Sequence, residues 1–497
     1  MTDSRVRAEP ERFDVVIVGA RAAGCSTAIT LARYGYRVLA IDRARFPSNV
    51  MSTHGCFPGH TKEMERLGVL DRVMREHAPP PLRWIQFTSA DGESVREPWA
   101  PKGGLDYGIC IGRPQLDKVL VDEARDRGVE VREGTPVSGL LWEDDRVVGV
   151  RYGRGGQERE VRASLVVGAD GRFGPTAGWV GSARPYRASA NGRGNFYWYL
   201  EDPKVGTLWR HNMAVWRGHT EVLAVPMPND LMVVQLMPPV GEIPCFREEP
   251  EVAWEQTLRE NRRVAERLDG AFVPVEKLKQ LKLPRRTCCE NITSYFRASS
   301  GPGWALVGDA GHVKDPLAGQ GIRDALRYGR LLGEMVSPAL EEPVLLDQQL
   351  RSWEVRRDHE CLDTYLWGSQ MSRSEEELEA MWSVIIRVLG EPRLAGDSNV
   401  TAAFSRMRNL RETVAPEALL HVARAALANP ERDRRELVRT LLNDLRIESG
   451  LWVDSKRRGF RRSRTTAAER QGWVWPPEKP GRVEPAPAAL RPEPVAA

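Results

Sequence analysis

The 497-residue chain is thin in the residues that build metal clusters or disulfide frameworks. Its seven cysteines are Cys25, Cys56, Cys110, Cys245, Cys288, Cys289 and Cys361, and they form no C-x-x-C pair and no His/Cys cluster. A zinc module and a disulfide scaffold are therefore excluded from the reading, and no metal is expected. Apolar runs are short, and none approaches the ~18 residues of a membrane-crossing helix. The opening MTDSRVRAEPERFD carries charges where a secretory leader needs an apolar stretch, so no export signal is read there. A basic face spread over a folded domain is also missing. Of the net charge of +4, residues 456–470 alone carry +6, which leaves the remainder at −2. Nucleic acid is not an expected partner. Seven prolines within residues 471–497 mark an extended, disordered tail. With 41% hydrophobic residues the chain as a whole is not disordered, and a soluble, cytoplasmic protein is expected.

What is present begins at Phe13. FDVVIVGA is a short, β-branched apolar run ending at Gly19, and RAAGCSTAITLARYGY places Ala23, Thr27, Ala28, Leu31 and Ala32 at helical spacing. RVLAID is a second strand ending in Asp42, so the first 30 residues of order read as a βαβ unit. Further strands are read at VEVREG, RVVGVRY, SLVVGAD and GWALVGD, with a Trp-rich alternating stretch from about 195 to 240. From about 341 to 450 the apolar spacing is helical.

Three glycine/acid turns carry the chemistry. In G-A-R-A-A-G, from Gly19 to Gly24, Arg21 stands where the dinucleotide fingerprint has its second glycine. The helix opened by this turn offers free N–H groups and roughly +0.5 charge to an anion. Asp42, 23 residues after Gly19, stands where an acid meets the hydroxyls of an adenosine ribose. VVGADG ends a later strand in Asp170 and Gly171. LVGDAGH ends another in Gly308 and Asp309, and PLAGQGIRDAL follows, with Gly319 and Gly321 opening a helix. An acid at a strand end suits a polyol, and the helix N-terminus suits negative charge on a ring edge.

In order and spacing these turns resemble the three FAD-binding signatures of the p-hydroxybenzoate-hydroxylase-like flavoproteins, over residues 13–335. IGRPQLDKVL resembles that family's R-x-x-L helix. The resemblance implies that FAD is held by Gly19, Ala20, Arg21, Ala23 and Gly24 in the first turn, and by Asp42 and Arg43 after the second strand. It further implies contacts from Arg113, with Gln115 as a weaker candidate, from Asp170 and Gly171, and from Gly308 and Asp309. Pro316, Gly319, Gln320, Gly321 and Ile322 complete the set. Arg323 departs from the family, many of whose members have Asn there. The implied architecture is α/β: a Rossmann-like FAD domain of discontinuous segments (13–80, 105–190 and 285–340) with an inserted β-sheet substrate domain (81–104 and 191–284). A disordered N-terminus (1–12), a helical C-terminal region (341–455) and a basic, Pro-rich tail (456–497) complete the expectation. The C-terminal helices cover the flavin domain or form a homodimer surface.

The resemblance implies an oxidoreductase, and the leading expectation is a monooxygenase. It would use NAD(P)H and O2, through a flavin hydroperoxide, to oxygenate an apolar, aromatic or polycyclic small molecule. One alternative is a flavin-dependent halogenase fed by a separate reductase, although the W-x-W-x-I-P segment is missing and Lys62 is its only lysine candidate. A second is an alkene reductase of the geranylgeranyl-reductase type, some of which carry a cysteine where Cys56 lies. A non-catalytic nucleotide-binding protein, docking through its basic tail, is the reading from another class. His312, three residues after Asp309, and His54 are the acid/base candidates; each also reads as a loop hydrogen-bonding residue. Trp198 and Trp216 are candidates to line a substrate pocket, and core packing explains them equally well.

Overall fold

The computed structural model describes residues 11–52, 54–89, 92–153, 158–289, 293–372 and 400–406, with scattered positions beyond. The expected basic tail, most of the 341–455 region and residues 1–10 lie outside the described residues. Glu11 and Arg12 already belong to the first strand, Glu11–Val18.

Val15, Val16, Ile17 and Val18 are all buried, as an inner strand covered on both faces requires. That strand lies between Arg159–Gly168 and Val38–Ile41, with Trp304–Leu306 and Glu130–Arg132 outside them, all running parallel. One face of this sheet (Val15, Ile17, Leu165, Val167) is covered by the helices Ala22–Arg33, Arg113–Asp126 and Gly321–Val336. The other face (Val16, Val18, Leu39, Val166) packs on the hairpin Val137–Glu143/Arg146–Tyr152. This is the expected Rossmann-like α/β layering. The long helix Pro343–Met371 lies against it, with Trp353 fully buried and its Nε1 donating to Tyr328 O at 2.9 Å. The described part of the C-terminal region thus covers the nucleotide-binding layer.

A second sheet has seven strands in the order Arg286–Cys289, Asn195–Glu201, Leu231–Met237, Glu221–Pro226, Asn212–Trp216, Trp84–Thr88 and Ser94–Pro98. The first of these corrects an expected boundary. Arg286–Cys289, assigned from sequence to the 285–340 part of the FAD domain, pairs with Asn195–Trp198 in the second sheet. RTCC is a short strand with no signal of its partner, because pairing is settled by tertiary context.

Side-chain alternation splits this sheet cleanly. Tyr197, Tyr199, Met213, Val225 and Val233 face the nucleotide-binding layer. Phe196, Trp198, Leu200, Trp216 and Val234 face away, beneath the helices Ile243–Glu248, Pro250–Glu260 and Arg262–Leu268. Trp198 packs on Trp254 with ring centroids 5.1 Å apart, and Trp216 stacks on Trp209 at 6.4 Å. Both candidate substrate-binding tryptophans are therefore core residues of the outer layer, turned from the interdomain side by their even-numbered register. Trp216→Ala should cost about 3–5 kcal/mol of stability, as truncation of a buried aromatic does. A denaturant titration checks this, and affinity for any ligand of the inner face should be unchanged in the folded variant.

Candidate active site

The first turn is built by close backbone approach. Gly19 has φ +105°, and a Cβ there would sit 2.4 Å from Ala169 O; one on Gly24 would sit 1.9 Å from Gly19 O. No other residue fits either position without opening the turn. Asp42, at the end of Val38–Ile41, closes the loop from below: Oδ2 accepts from Ala20 N at 2.8 Å and Oδ1 from Ala44 N at 2.7 Å. Each oxygen keeps a second lone pair for a hydroxyl. Ala20 and Ala23 are buried beneath the turn, and Arg43 is exposed beside it.

Arg21 does not point outwards. Its Nη1 meets Asp117 Oδ2 at 2.5 Å and its Nη2 meets Ser48 Oγ at 2.8 Å, with the guanidinium 5.2 Å from the Phe46 ring centroid. Arg113, opening its own helix, holds the same fully buried Asp117 through Nη2 at 2.8 Å and 3.1 Å. Two guanidiniums thus share one carboxylate beside the N-terminus of Ala22–Arg33. Gln115 is turned elsewhere, donating to Leu281 O at 3.0 Å.

The two later acids differ. Asp170 Oδ2 accepts from Thr176 N at 2.9 Å and Oγ1 at 2.7 Å, so that oxygen caps its own loop, while Oδ1 is buried with no partner among the described residues. Gly171 (φ +82°) makes the turn. Asp309 is exposed at its turn and its carboxylate meets no hydrogen-bond donor among the described residues, while the protein packed around it desolvates it and raises its pKa. Gly308 (φ +59°) lets this turn pass over Ala23, whose Cβ would lie 2.8 Å from a Cβ at 308. Pro316–Ala318 form a single tight turn, and Gly319 (φ +60°) lies under the Phe57 ring. Space is open beside Gly321, at the head of the Gly321–Val336 helix, and Ile322 is buried one residue further on. Gln320 donates to Phe404 O at 3.0 Å, and Arg323 pairs with Asp324 at 2.7 Å.

The histidine candidates are neutral interior groups. His54, fully buried at φ +58°, meets Tyr199 Oη through Nε2 at 2.5 Å. Burial first, then the Arg113 charge, holds its pKa down to about 3. Burial raises the Tyr199 pKa, so Tyr199 keeps its proton, and which group donates in this bond follows the His54 tautomer. His312 lies under the second layer of helices, against Phe296 (centroids 4.4 Å apart). Asp324 and Cys361 are within 4.8 Å of it, and the Lys314 ammonium pairs with Asp324 there, where a cation would otherwise sit. Burial and Lys314 keep His312 uncharged. Cys56 lies in the short strand Gly55–Cys56, its thiol pKa pushed up to about 12 by burial.

Between the two sheets lies a cavity. Gly55, Phe57, Pro316, Leu317 and Gly319 form one wall, and Ile85, Phe87, Met213, Val215 and Leu223 the other. Phe404 enters it from the short helix Val400–Phe404 and packs on Phe57 and Trp367, with centroids 5.3 Å and 4.7 Å apart. Arg217, Glu221 and Gln235 are its polar lining. Phe57, Phe404, Gln235 and the Arg217–Glu221 pair were not singled out from sequence. Strand parity within LMVVQLM, where Gln235 is the one polar residue of an apolar strand, was the available signal.

A glycine-built dinucleotide turn, a ribose-type acid and an apolar cavity behind a second glycine turn together define a flavin-dependent oxidoreductase. The chain belongs to the family described as FAD binding domain, whose model matches residues 12–347. It is similar in sequence to digeranylgeranylglycerophospholipid reductase of Methanosarcina mazei, 27% identical over 348 residues, spanning 66% of this chain and 76% of that protein. It is likewise similar to menaquinone reductase of Mycolicibacterium smegmatis, 28% identical over 342 residues, 66% and 76% of the two chains. In fold it is similar to the myxobacterial chondrochloren halogenase, a variant FAD-dependent halogenase, with a TM-score of 0.63 and 20% identity over 86% of this chain and 99% of that one. FAD is the cofactor of the family, and the residues present fit it. The backbone at Gly19–Gly24 admits close approach, the Asp309 carboxylate has no protein donor, and space is open at Gly321.

Asp309→Ala should lower FAD affinity about 5–100-fold, the loss of one or two hydrogen bonds to a charged acceptor, read by equilibrium dialysis of the flavin. Asp170→Ala should instead lower the melting temperature and leave flavin affinity within about twofold, because its partners are Thr176 and not a ligand. Asp315 gives a pH signature. Burial raises its pKa to about 7 from an ordinary 3.8. Between these values the folded state binds more protons than the unfolded one, so stability falls as pH climbs from 4 to 7. Asp315→Asn should remove that decline, measured as melting temperature against pH.

Proposed function

We propose that this protein is an FAD-dependent reductase that saturates carbon–carbon double bonds in an apolar, isoprenoid-like small molecule, with a nicotinamide as electron donor. The observation that carries the reading is the cavity wall beside Pro316–Gly319, which is apolar. Oxygenation of an apolar, aromatic or polycyclic molecule is the leading expectation from sequence; where such a ring is phenolic, the reaction calls for a group to withdraw the phenol proton. His54, His60 and His312 are buried with their pKa values held down, which makes them poor bases, and Asp315, its pKa raised to about 7, accepts from Leu317 N through Oδ1 at 3.0 Å. An alkene needs no such base. The sequence relatives named as reductases support this choice over an oxygenase. A halogenase reading gains nothing from Lys62, whose ammonium pairs with Glu65 and Gly103 O outside the cavity.

When bound, FAD supplies hydride chemistry between donor and substrate. The chain's own work is positional. Asp42 holds the adenosine ribose, and the N-terminus of Ala22–Arg33, flanked by the Arg21–Asp117–Arg113 group, takes the pyrophosphate. Asp309 would accept from the ribityl hydroxyls, and the backbone N–H groups at Gly319–Gly321 would stabilise negative charge on the ring. Phe57, Leu317, Met213 and Phe404 exclude water and hold an apolar chain by contact alone. The proton held between Tyr199 Oη and His54 lies in the interior behind Gly55, and the protonated Cys56 thiol contacts His54 O at 3.7 Å.

The test is anaerobic. FAD-loaded protein is bleached with NADPH or NADH, and a polyprenyl lipid is added while flavin absorbance is followed. Return of oxidised flavin without O2, with product mass rising by two per saturated bond, is the expected result. No reoxidation until air is admitted, with a product gaining one oxygen atom, would return the protein to the oxygenases.

A further inference from the structure

The floor of the cavity is one row of side chains that runs across four strands. Phe87 pairs with Val215, Val215 with Leu223 and Leu223 with Gln235, and all four line the cavity. Directly opposed residues share a face of the sheet, and neighbouring strands lie about 4.8 Å apart, so the three steps make a floor about 14 Å long. It is apolar except at Gln235. Facing it stand Phe57, Leu317 and Gly319, beside the second glycine turn.

The row is closed at its Phe87 end. There the Phe404 ring touches both walls: it stacks on Phe87 of the second sheet at 6.2 Å and meets Phe57 of the opposite wall edge-on at 5.3 Å. Trp367 and Trp99 also flank the ring, at 4.7 Å and 6.4 Å. Phe57 and Trp99 are themselves 5.1 Å apart, so the two layers come into contact at this end. The backbone that carries Phe404 is held from both layers. Thr401 Oγ1 accepts from Ala100 N at 3.0 Å and donates to Pro98 O at 3.1 Å, and Lys102 Nζ donates to Arg406 O at 2.8 Å. From the other layer, Gln320 Nε2 donates to Phe404 O at 3.0 Å, and a Cβ on Gly59 would come within 2.9 Å of Ser405 O. The scaffold therefore sets the place of the ring, and a chain lying along the floor has to stop against it.

We propose that Phe404 is the end stop of the cavity and fixes the length of apolar chain it admits, with Trp99 and Trp367 supporting it. The proposal rests on the cavity being the substrate site and adds the size of the substrate: a floor of about 14 Å matches an extended farnesyl chain. A longer chain has to fold back on itself or leave its last unit in water, and either course forfeits burial that would bind it.

The test measures binding to oxidised, FAD-loaded protein by calorimetry, with geraniol, farnesol and geranylgeraniol as a ladder that grows by one prenyl unit at each step. Affinity should rise from geraniol to farnesol and fall about tenfold or more at geranylgeraniol. Phe404→Ala removes the ring and should abolish that fall, whereas the bulkier Phe404→Trp should move the preference to geraniol. Phe404→Leu keeps part of the packing and should recover part of the lost affinity even if Phe404→Ala fails to fold. Geranylgeraniol bound as tightly as farnesol by the unaltered protein overturns the proposal. So does a shortened side chain at 404 that tightens binding of all three alcohols by one factor, the mark of a displaceable plug, or that leaves the ladder as it was. The expected ladder without anaerobic flavin reoxidation would defeat alkene reduction alone. Reoxidation by farnesol and geranylgeraniol alike, with no fall in affinity, would defeat the end stop alone. Binding of none of the three defeats the cavity as substrate site and the end stop with it.

Discussion

The architecture depends on how closely backbone is allowed to approach the first helix, Ala22–Arg33. Below it, Gly19 and Gly24 bring the turn against Ala169 O and fold it on itself. Beside it, Gly308 passes over Ala23. Along its length Gly329 and Gly333, from the helix Gly321–Val336, rest on Ala23 O, Ser26 and Thr30; Cβ atoms there would lie 2.6 Å and 2.9 Å from their nearest neighbours. Ser26 Oγ donates across this contact to Leu326 O. Glycine at the crossing is what lets two helices meet at backbone distance, and close-packed interiors transmit any shift. The nucleotide turn, the Asp309 turn and the helix behind Gly319–Gly321 are therefore positioned through one contact.

That contact also explains the departure at Arg21. With Ala23 and Gly24 pressed inward, the side chain at 21 has room only along the surface of the turn, where Asp117 and Ser48 receive it. A lone arginine would add a full charge beside the helix N-terminus. Shared with Arg113 across Asp117, it leaves one net positive charge held rigidly at the place where the helix already favours an anion. The missing glycine of the fingerprint is replaced by a charge arrangement that spans 96 residues of sequence.

How much of this was legible differs by layer. The parallel sheet and its turns were readable from Gly19, Asp42, Gly308 and Gly319, because φ > 0 and close approach restrict residue type at a single position. Asp170 and Asp309 look alike in sequence, each an acid following a strand. Only the placement of Thr176 separates the one that caps its own loop from the one left open to a ligand. The tryptophans misled for a different reason. Both faces of the Asn195–Glu201 strand are buried and both carry aromatics, so alternation carries no inward or outward label. The strand Arg286–Cys289 had no local signal for its partner. Phe404 reaches the cavity from more than 300 residues beyond Phe57, a contact that no spacing rule contains.

Burial then decides the chemistry as firmly as the identity of the side chains. Three histidines, a cysteine and two tyrosines surround the interdomain space, a set that in an open cleft would offer several acids and bases near neutral pH. Enclosed by two sheets and the Pro343–Met371 helix, each is driven towards its uncharged form: His54 and His60 lose their protons' pKa to burial, while Cys56 and Tyr199 keep theirs. What remains charged inside is paired, as Arg217 with Glu221 and Lys314 with Asp324. A space walled by Phe57, Leu317, Met213 and Phe404 offers an apolar chain contact alone. The same desolvation that holds the histidine pKa values down raises that of Asp315 to about 7, so burial sets which of these groups exchanges a proton near neutral pH.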